Sequence, residues 1–309
     1  MSNQVRVNPM PGQLLNLNGV AMHVHSAGRG APAVVMEAAI GDFSLTWSLV
    51  HPQVARFTRA ISYDRLGLGW SEASPMPRTG ETMVAELRRL LGEAGIPGPY
   101  ILVSHSFSAL LARLYAYLYP KEIAGLVLLD PAHEDQFLRF PQPIREMFIP
   151  LRDAQIAQLQ QNAETIRLNG PAAAVPVVMP PATFPAEISA AYTAQSIADP
   201  TRVETMIEEL RQLETTQQQV RDRRAASLGQ IPLVVISHGQ PQAVPGMPAE
   251  INQAYEDAWQ EMQREIAAMS TRGKQVIAEQ SGHMIHHQQP ELVVQHIRQM
   301  VEAVRNRDY

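Results

Sequence analysis

Residues 101–110, with the sequence ILVSHSFSAL, restrict the fold of this chain more than any other stretch. An apolar run leads into three serines at alternate positions, and a helical pattern follows. This layout is typical of a nucleophile elbow, a sharp strand-to-helix turn that exposes a serine hydroxyl at the end of a sheet. Backbone atoms crowd such a turn, so the residues two before and two after the nucleophile must be small. Only Ser106 meets this condition, with Ser104 and Ser108 as its flanks. A hydroxyl-rich strand end without catalysis is the alternative interpretation of these residues.

Strand and helix patterns alternate on both sides of this stretch. The predicted strands are Gln13–Leu17, Val20–Ser26, Ala33–Glu37, Phe57–Tyr63, Tyr100–Val103, Ile123–Leu129, Ile231–Ile236 and Lys274–Ala278. The predicted helices between and after them are Leu45–Arg56, Thr79–Ala94, Phe107–Tyr119, Ala249–Met269 and Glu291–Arg307. Such alternation, with strands that are apolar almost throughout, predicts an α/β fold with a mostly parallel, doubly wound sheet.

The alternation stops over residues 132–230, where we find no convincing strand. Helical patterns lie there near Arg152–Leu168, Pro185–Ile197 and Thr201–Ala225. We therefore expect residues 1–131 and 231–309 to form the core. Residues 132–230 are expected to form a helical cap, inserted between strands 6 and 7 and covering the active site.

Composition excludes several classes of protein. The chain has no cysteine, which excludes disulfides, thiolate metal sites and a cysteine nucleophile. Its formal net charge is −5 and it has no long basic run, so we expect no nucleic-acid partner. No apolar stretch reaches the roughly 20 residues of a membrane helix, and the start, Met1 to Gly12, has no apolar signal-peptide core. We expect a cytoplasmic enzyme. His23 and His25 lack companions at metal-ligand spacing, so neither a metal site nor a cofactor is expected.

The elbow, the alternating strands and helices and the inserted helical segment together resemble the α/β-hydrolase superfamily over nearly the whole chain. The usual elbow of that family has glycine at one or both flanks, where this chain has serine at both. The resemblance implies a triad of serine, acid and histidine. A serine at the elbow argues against the epoxide hydrolase and haloalkane dehalogenase branches, which use aspartate there.

The resemblance implies that the catalytic base lies on the loop after the last strand. That loop contains the tripeptide Ser281-Gly282-His283, so His283 is the candidate base; histidine is the residue type that commonly takes a serine proton near neutral pH. His286 and His287 follow, and we expect them at a surface-exposed helix entry.

The acid of the family commonly follows the strand after the cap, but residues 237–246 contain no carboxylate there. The other family location is the end of the strand before the cap, where Asp130 lies at the expected carboxyl edge of the sheet. We assign Asp130 as the acid that orients the histidine, with Glu134 and Asp135 as alternatives on the same loop. An Asx turn that starts the insertion is the structural alternative for Asp130.

Two backbone N–H groups must stabilise the oxyanion. The resemblance implies the amide of Phe107, directly after the nucleophile, and one from the loop after the third strand. Counting back from Trp47, which resembles a tryptophan common after that loop, assigns the second amide to Ile40. Arg65 lies in a segment, residues 63–71, that resembles a recurrent loop of the family, and we interpret it as structural.

These residues predict a serine hydrolase that cleaves a small to medium apolar carboxylic ester through an acyl-enzyme on Ser106, with water and a small acyl substrate as its partners. Apolar residues of the insertion are candidates for the pocket lining, although core packing is their alternative role; they are Phe137, Phe140, Met147, Phe148, Met179, Phe184 and Met206. Carbon–carbon bond hydrolysis or acyl transfer by the same triad remains open. A ligand-binding protein of the same fold with little turnover also remains open, because fold does not fix function. The oligomeric state is not predicted.

Overall fold

A computed structural model describes residues 10–176, 178–224 and 227–306. Its centre is an eight-stranded sheet with the strand order β1-β2-β4-β3-β5-β6-β7-β8. The strands are β1 (Gln13–Leu17), β2 (Val20–Ala27), β3 (Val34–Glu37), β4 (Ala60–Tyr63), β5 (Tyr100–His105), β6 (Ile123–Leu129), β7 (Leu233–His238) and β8 (Gly273–Ala278).

Most neighbouring strands run parallel. The β1–β2 and β2–β4 pairs are antiparallel, and the other five pairs are parallel. The β1–β2 hairpin turns at Asn18 and Gly19, both with positive φ (56° and 94°), which two-residue hairpins require. The predicted mostly parallel sheet is thereby confirmed.

Helices cover both faces of this sheet. They are α1 (His51–Val54), α2 (Gly80–Glu93), α3 (Ser108–Leu118), α4 (Gln136–Arg139), α5 (Gln142–Asn169), α6 (Ala186–Ser196), α7 (Pro200–Arg211), α8 (Leu213–Arg223), α9 (Ala249–Ala268), α10 (Ile285–Gln288) and α11 (Pro290–Asn306). Short 3₁₀ helices span Ser44–Trp47, Pro120–Glu122 and Pro171–Ala173.

Each face of the sheet has its own apolar core. One side is filled by α2 and α3, with Leu87, Leu90 and Leu91 buried against the sheet. The other is filled by α11 and by Trp47, which is fully buried. Burial on both faces explains why the central strands are apolar throughout.

Two predicted helices are each divided into two in the structure. The segment Leu45–Arg56 forms a 3₁₀ turn followed by the separate α1, and the pattern over Thr201–Ala225 is divided into α7 and α8 at Gln212. Ala225 and Arg307, where two predicted helices end, lie outside the described residues, as do residues 1–9. None of the helices in the described ranges combines the length and the apolarity needed to cross a membrane.

Five helices, α4 to α8, lie between β6 and β7. Helices α6 and α7 pack against loops at the carboxyl edge of the sheet. Tyr192 of α6 donates a hydrogen bond of 2.6 Å to Asp42. Gly67 lies so close to α7 that a Cβ there would be 2.0 Å from Thr205 Oγ1. The inserted helices are therefore docked on the edge where the strands end.

Candidate active site

Ser106 lies in a strained turn between β5 and α3. Its φ is +55°, a left-handed value that side chains with a Cβ seldom adopt. The turn is held by backbone hydrogen bonds from Ser106 N to Leu129 O (3.0 Å) and from Ala132 N to Ser106 O (3.0 Å). The Ser108 hydroxyl donates to the carbonyl of Glu37 (2.9 Å), which ties the turn to β3. These contacts have the geometry that the elbow pattern predicts.

Asp130 follows β6, the strand next to β5, and also has a left-handed φ, of +42°. It is fully buried, and its Oδ2 accepts a hydrogen bond of 2.5 Å from Nδ1 of His283. His283 lies on the loop between β8 and α10, and its side chain is 30% exposed. The histidine and the acid that sequence analysis selects are therefore in direct contact, although 153 positions separate them in the chain.

A second histidine shares this carboxylate. Nδ1 of His238 lies 2.9 and 2.8 Å from the two oxygens of Asp130, and Nε1 of Trp259 donates to Oδ1 at 2.9 Å. Burial acts to raise the pKa of Asp130, but the hydrogen bonds from His238 and His283 hold it well below its usual range. Asp130 is thus an ionised carboxylate in the interior.

Sequence analysis missed two histidines. His105 precedes the nucleophile, and its Nε2 donates to the backbone carbonyl of His283 at 2.9 Å, which couples the elbow to the base loop. Burial, followed by the charge of His283, holds the pKa of His105 well below its usual range, so it is neutral. His238 ends β7 at the carboxyl edge of the sheet. Its position at a strand end is the one signal that the sequence carries for it, and that signal does not identify its carboxylate partners.

Ser106, Asp130 and His283 line one cavity of about 140 Å³. Its other lining residues are Ala132, Gln136, His238, Gln242, Tyr255 and Trp259. The volume equals about five waters. No hydrogen bond joins Ser106 to the His283 ring among the described residues; catalytic pairs without substrate are often longer than in the reacting complex. A larger depression of about 750 Å³, lined by the paired Arg88 and Glu122, lies away from this edge.

The amides of Phe107 and Ile40 have no hydrogen-bond acceptor anywhere in the described ranges. Arg65 fixes the loop that carries Ile40. Its guanidinium donates hydrogen bonds to the carbonyls of Ala38 and Ala39 (both 2.7 Å). Arg65 in turn pairs with Glu209 of α7 at 2.7 Å. Glu209 also accepts from the amide of Gly41 (2.7 Å). Free backbone N–H groups are the kind of donor that an oxyanion hole requires.

The alternative acids, Glu134 and Asp135, both form ion pairs with arginines. Glu134 is fully buried and accepts a hydrogen bond of 2.5 Å from Arg113. Burial acts to raise the pKa of Glu134, but the charge of Arg113 lowers it to about 2. Asp135 pairs with Arg221 and Arg224 (both 2.7 Å). With His133, these two carboxylates come within 4.8 Å of one another, but their oxygens already have cationic partners.

None of the seven apolar residues that were candidates for the pocket lining is among the residues that line this cavity. Phe137 packs on Phe148, with ring centroids 3.7 Å apart, and Phe140 stacks on Trp259 at 6.2 Å. Phe140 is therefore one layer behind the lining, and Met147 is not among the lining residues either. Aromatic side chains of the insertion support the cavity wall instead of forming it.

The expectation that His286 and His287 are surface residues is wrong. Both are buried, with exposed fractions of 0% and 4%. Their Nε2 atoms lie 2.9 Å from the Thr46 hydroxyl, and the His286 ring packs on Trp47. These partners lie about 240 positions away in the chain, so local sequence carried no sign of them.

Comparison with known proteins places this geometry in context. A sequence model of the alpha/beta hydrolase family matches residues 23–296. The uncharacterized protein YqjL of Bacillus subtilis is 27% identical over 280 residues, which cover 90% of this chain and 87% of that protein. Haloalkane dehalogenase DbeA of Bradyrhizobium elkani superposes with a TM-score of 0.74 at 20% identity, over 95% of this chain and 98% of that one. A thermophilic esterase of Thermogutta terrifontis gives 0.65 at 20% identity, over 95% and 99%.

Proposed function

The chain belongs to the alpha/beta hydrolase family, and on that premise we propose that it is a serine hydrolase that cleaves small carboxylic esters through an acyl-enzyme on Ser106. The observation that carries the proposal is the 2.5 Å hydrogen bond from His283 to Asp130 at a cavity that Ser106 also lines. A neutral imidazole whose Nδ1–H is held by a carboxylate presents Nε2 as a base.

In the proposed reaction Ser106 Oγ attacks the acyl carbonyl while His283 takes the hydroxyl proton. His283 then returns this proton to the leaving alkoxide, and Asp130 stabilises the imidazolium that exists in between. The amides of Phe107 and Ile40 donate to the tetrahedral oxyanion. Water, activated by the same histidine, attacks the acyl-enzyme and releases the carboxylic acid.

The elbow residue favours this reaction over those of related enzymes. The dehalogenase and the esterase share the fold, but the dehalogenase branch uses aspartate at the elbow and this chain has Ser106 there. The cavity of about 140 Å³ favours a short acyl group. Its lining includes Gln136, Gln242 and Tyr255, so it is more polar than the sequence suggested.

A fluorophosphonate probe and short p-nitrophenyl esters test the proposal. We expect Ser106→Ala to abolish labelling and to lower kcat by a factor on the order of 10⁴ or more, because a triad acts as a unit. His283→Ala should have a comparable effect. The matched control is Ser104→Ala, since the Ser104 hydroxyl is buried and makes no hydrogen bond within the described chain. Unchanged labelling of Ser106→Ala would contradict the proposal. Labelling of the wild type without turnover of any ester would favour acyl transfer, and a wild type that is not labelled would favour a ligand-binding protein.

A further inference from the structure

We propose that His238, braced by Glu256, is a positioning residue of the proposed triad: its doubly protonated ring holds Asp130 ionised and oriented toward His283. This inference rests on the proposed serine hydrolase mechanism. It assigns a role to a histidine that contacts the acid without being the base.

The contacts of the His238 ring carry the inference. Its Nδ1 lies 2.9 and 2.8 Å from the oxygens of Asp130, and its Nε2 lies 3.1 and 3.0 Å from those of Glu256. An ionised carboxylate only accepts hydrogen bonds, and a neutral imidazole has one N–H. Both ring nitrogens can satisfy these carboxylates only if both carry a proton. The geometry therefore selects the imidazolium form.

The surroundings keep this cation in place. His238 is 2% exposed and Glu256 is 8% exposed. Gln260 donates both to the His238 carbonyl (3.0 Å) and to Glu256 (2.9 Å), which fixes the carboxylate beside the ring. The His238 backbone N–H also points at Oδ1 of Asp130, at 3.3 Å. The ring and the backbone of His238 thus both contact the carboxylate of Asp130.

Titratable groups surround His238 on three parts of the chain. They are Asp130 after β6, Glu256 and Tyr255 on α9, and His283 after β8. Burial acts to lower the pKa of His238, but Asp130 and Glu256 outweigh it and raise the pKa to about 9. Burial also raises the pKa of Tyr255, to about 12, so the phenol is neutral across the range in which His238 titrates. His238 is thus charged at neutral pH and releases its proton on the alkaline side.

The charge has a direct consequence for catalysis. Asp130 accepts from His283, Trp259 and His238, so its orientation is fixed from three sides. When His238 loses its ring proton, one of its two carboxylate contacts loses its hydrogen. Asp130 then faces Glu256 without an intervening cation. We expect Asp130 to be held less firmly and kcat to fall as the pH rises through about 9.

Imidazole ¹⁵N NMR of the intact protein tests the charge without reference to turnover. The His238 signals are assigned by their loss in His238→Gln. We expect both ring nitrogens to be protonated at pH 7, with a titration midpoint near 9. A neutral His238 at pH 7 overturns the proposal. A cationic His238 in a protein that cleaves no ester instead counts against the proposed function, so the two failures are distinguishable.

Kinetics tests the positioning role. Glu256→Gln removes one carboxylate, so we expect the alkaline limb of kcat and the His238 midpoint to move down together by about one pH unit or more. Glu256→Asp keeps the charge and should leave the limb near its wild-type position. Asp257→Asn makes the same charge change at an exposed site on α9 and is the control. A Glu256→Gln protein with a lower Tm but an unmoved limb would assign Glu256 a structural role only and overturn the inference. If Glu256→Gln does not fold, Glu256→Asp and the wild-type titration still decide.

Discussion

Ser106 and Asp130 are the two chemically important side chains that share a left-handed backbone, with φ values of +55° and +42°. Such conformations cost on the order of 1 kcal/mol for a residue with a Cβ. They persist because neighbouring strands hold the turns. The backbone N–H of Ser106 donates to the carbonyl of Leu129, and that of Asp130 donates to the carbonyl of Ile236. Both residues end adjacent parallel strands, so the strain sets two functional groups at one edge of the sheet.

Replacing Asp130 with asparagine, which has nearly the same shape but no charge, tests the proposed role of Asp130 as the acid. We expect Asp130→Asn to fold, because asparagine tolerates left-handed φ, and to lower kcat on the order of 10³- to 10⁴-fold by weakening the orientation of His283. Steady-state kinetics with a circular dichroism check measures this.

Glu134→Gln is the companion variant. Its carboxylate partners the buried Arg113, so we expect a lower Tm with kcat of the folded protein nearly unchanged. The reverse outcome, full activity in Asp130→Asn and loss in Glu134→Gln, would move the acid to Glu134.

Sequence alone reached the turn at Ser106 and the contact between His283 and Asp130 because each follows a local pattern: an elbow, a Ser-Gly-His loop, and an acid at a strand end. It did not reach His105 or His238. Their partners are the carbonyl of His283 and the side chain of Glu256, and only the folded chain brings these into contact.

Helix α7 contributes an ion pair that connects the insertion to the loop that carries Ile40. Its Glu209 is fully buried, pairs with Arg65 and binds the amide of Gly41. Arg65 was expected to be structural, and its contacts hold the loop that carries Ile40. Sequence predicted helices in this insertion because their apolar periodicity is local, whereas the ion pair joins residues 144 positions apart.

Neutralising this carboxylate should affect both stability and catalysis. Glu209→Gln leaves Arg65 buried without its counter-charge, so we expect a loss of about 3–5 kcal/mol in the free energy of unfolding. We also expect a lower kcat from a looser Ile40 loop. Urea unfolding and ester kinetics measure the two effects.

Glu208→Gln, one residue earlier on α7 and partnered only by Gln212 among the described residues, is the matched control and should change neither quantity. A destabilised Glu209→Gln protein with wild-type kcat would show that the ion pair does not affect catalysis through the loop that carries Ile40.

Across the whole molecule, several histidines are buried as neutral rings. Burial lowers the pKa of His51, His133 and His287 to about 4, and it holds those of His105 and His286 well below the usual range. Because the unfolded chain titrates these groups near 6.5, it binds more protons than the folded protein below that pH. Stability from these groups is present above pH 6.5 and is lost as the pH falls toward 4.

Urea unfolding at pH 7 and pH 5 tests this. We expect the free energy of unfolding to fall by several kcal/mol, with each such histidine contributing up to about 3 kcal/mol near pH 4. Glu37, His23 and His238 act in the opposite sense, since their pKa values are raised in the folded protein, but they are fewer than the five buried neutral histidines. His287→Gln should reduce the dependence on pH. Stability that is constant or greater at pH 5 would contradict this account.

The location of Glu209 on the insertion limits how this architecture can be recombined. A segment exchanged between the ends of β6 and β7 would remove the counter-ion of Arg65 together with the helices around it. A grafted replacement would function only if it supplied a carboxylate at the same point. Substitutions that diversify the protein can therefore accumulate on the exposed face of α5, while α7, and α6 at Tyr192, remain constrained by the loops on which they are docked.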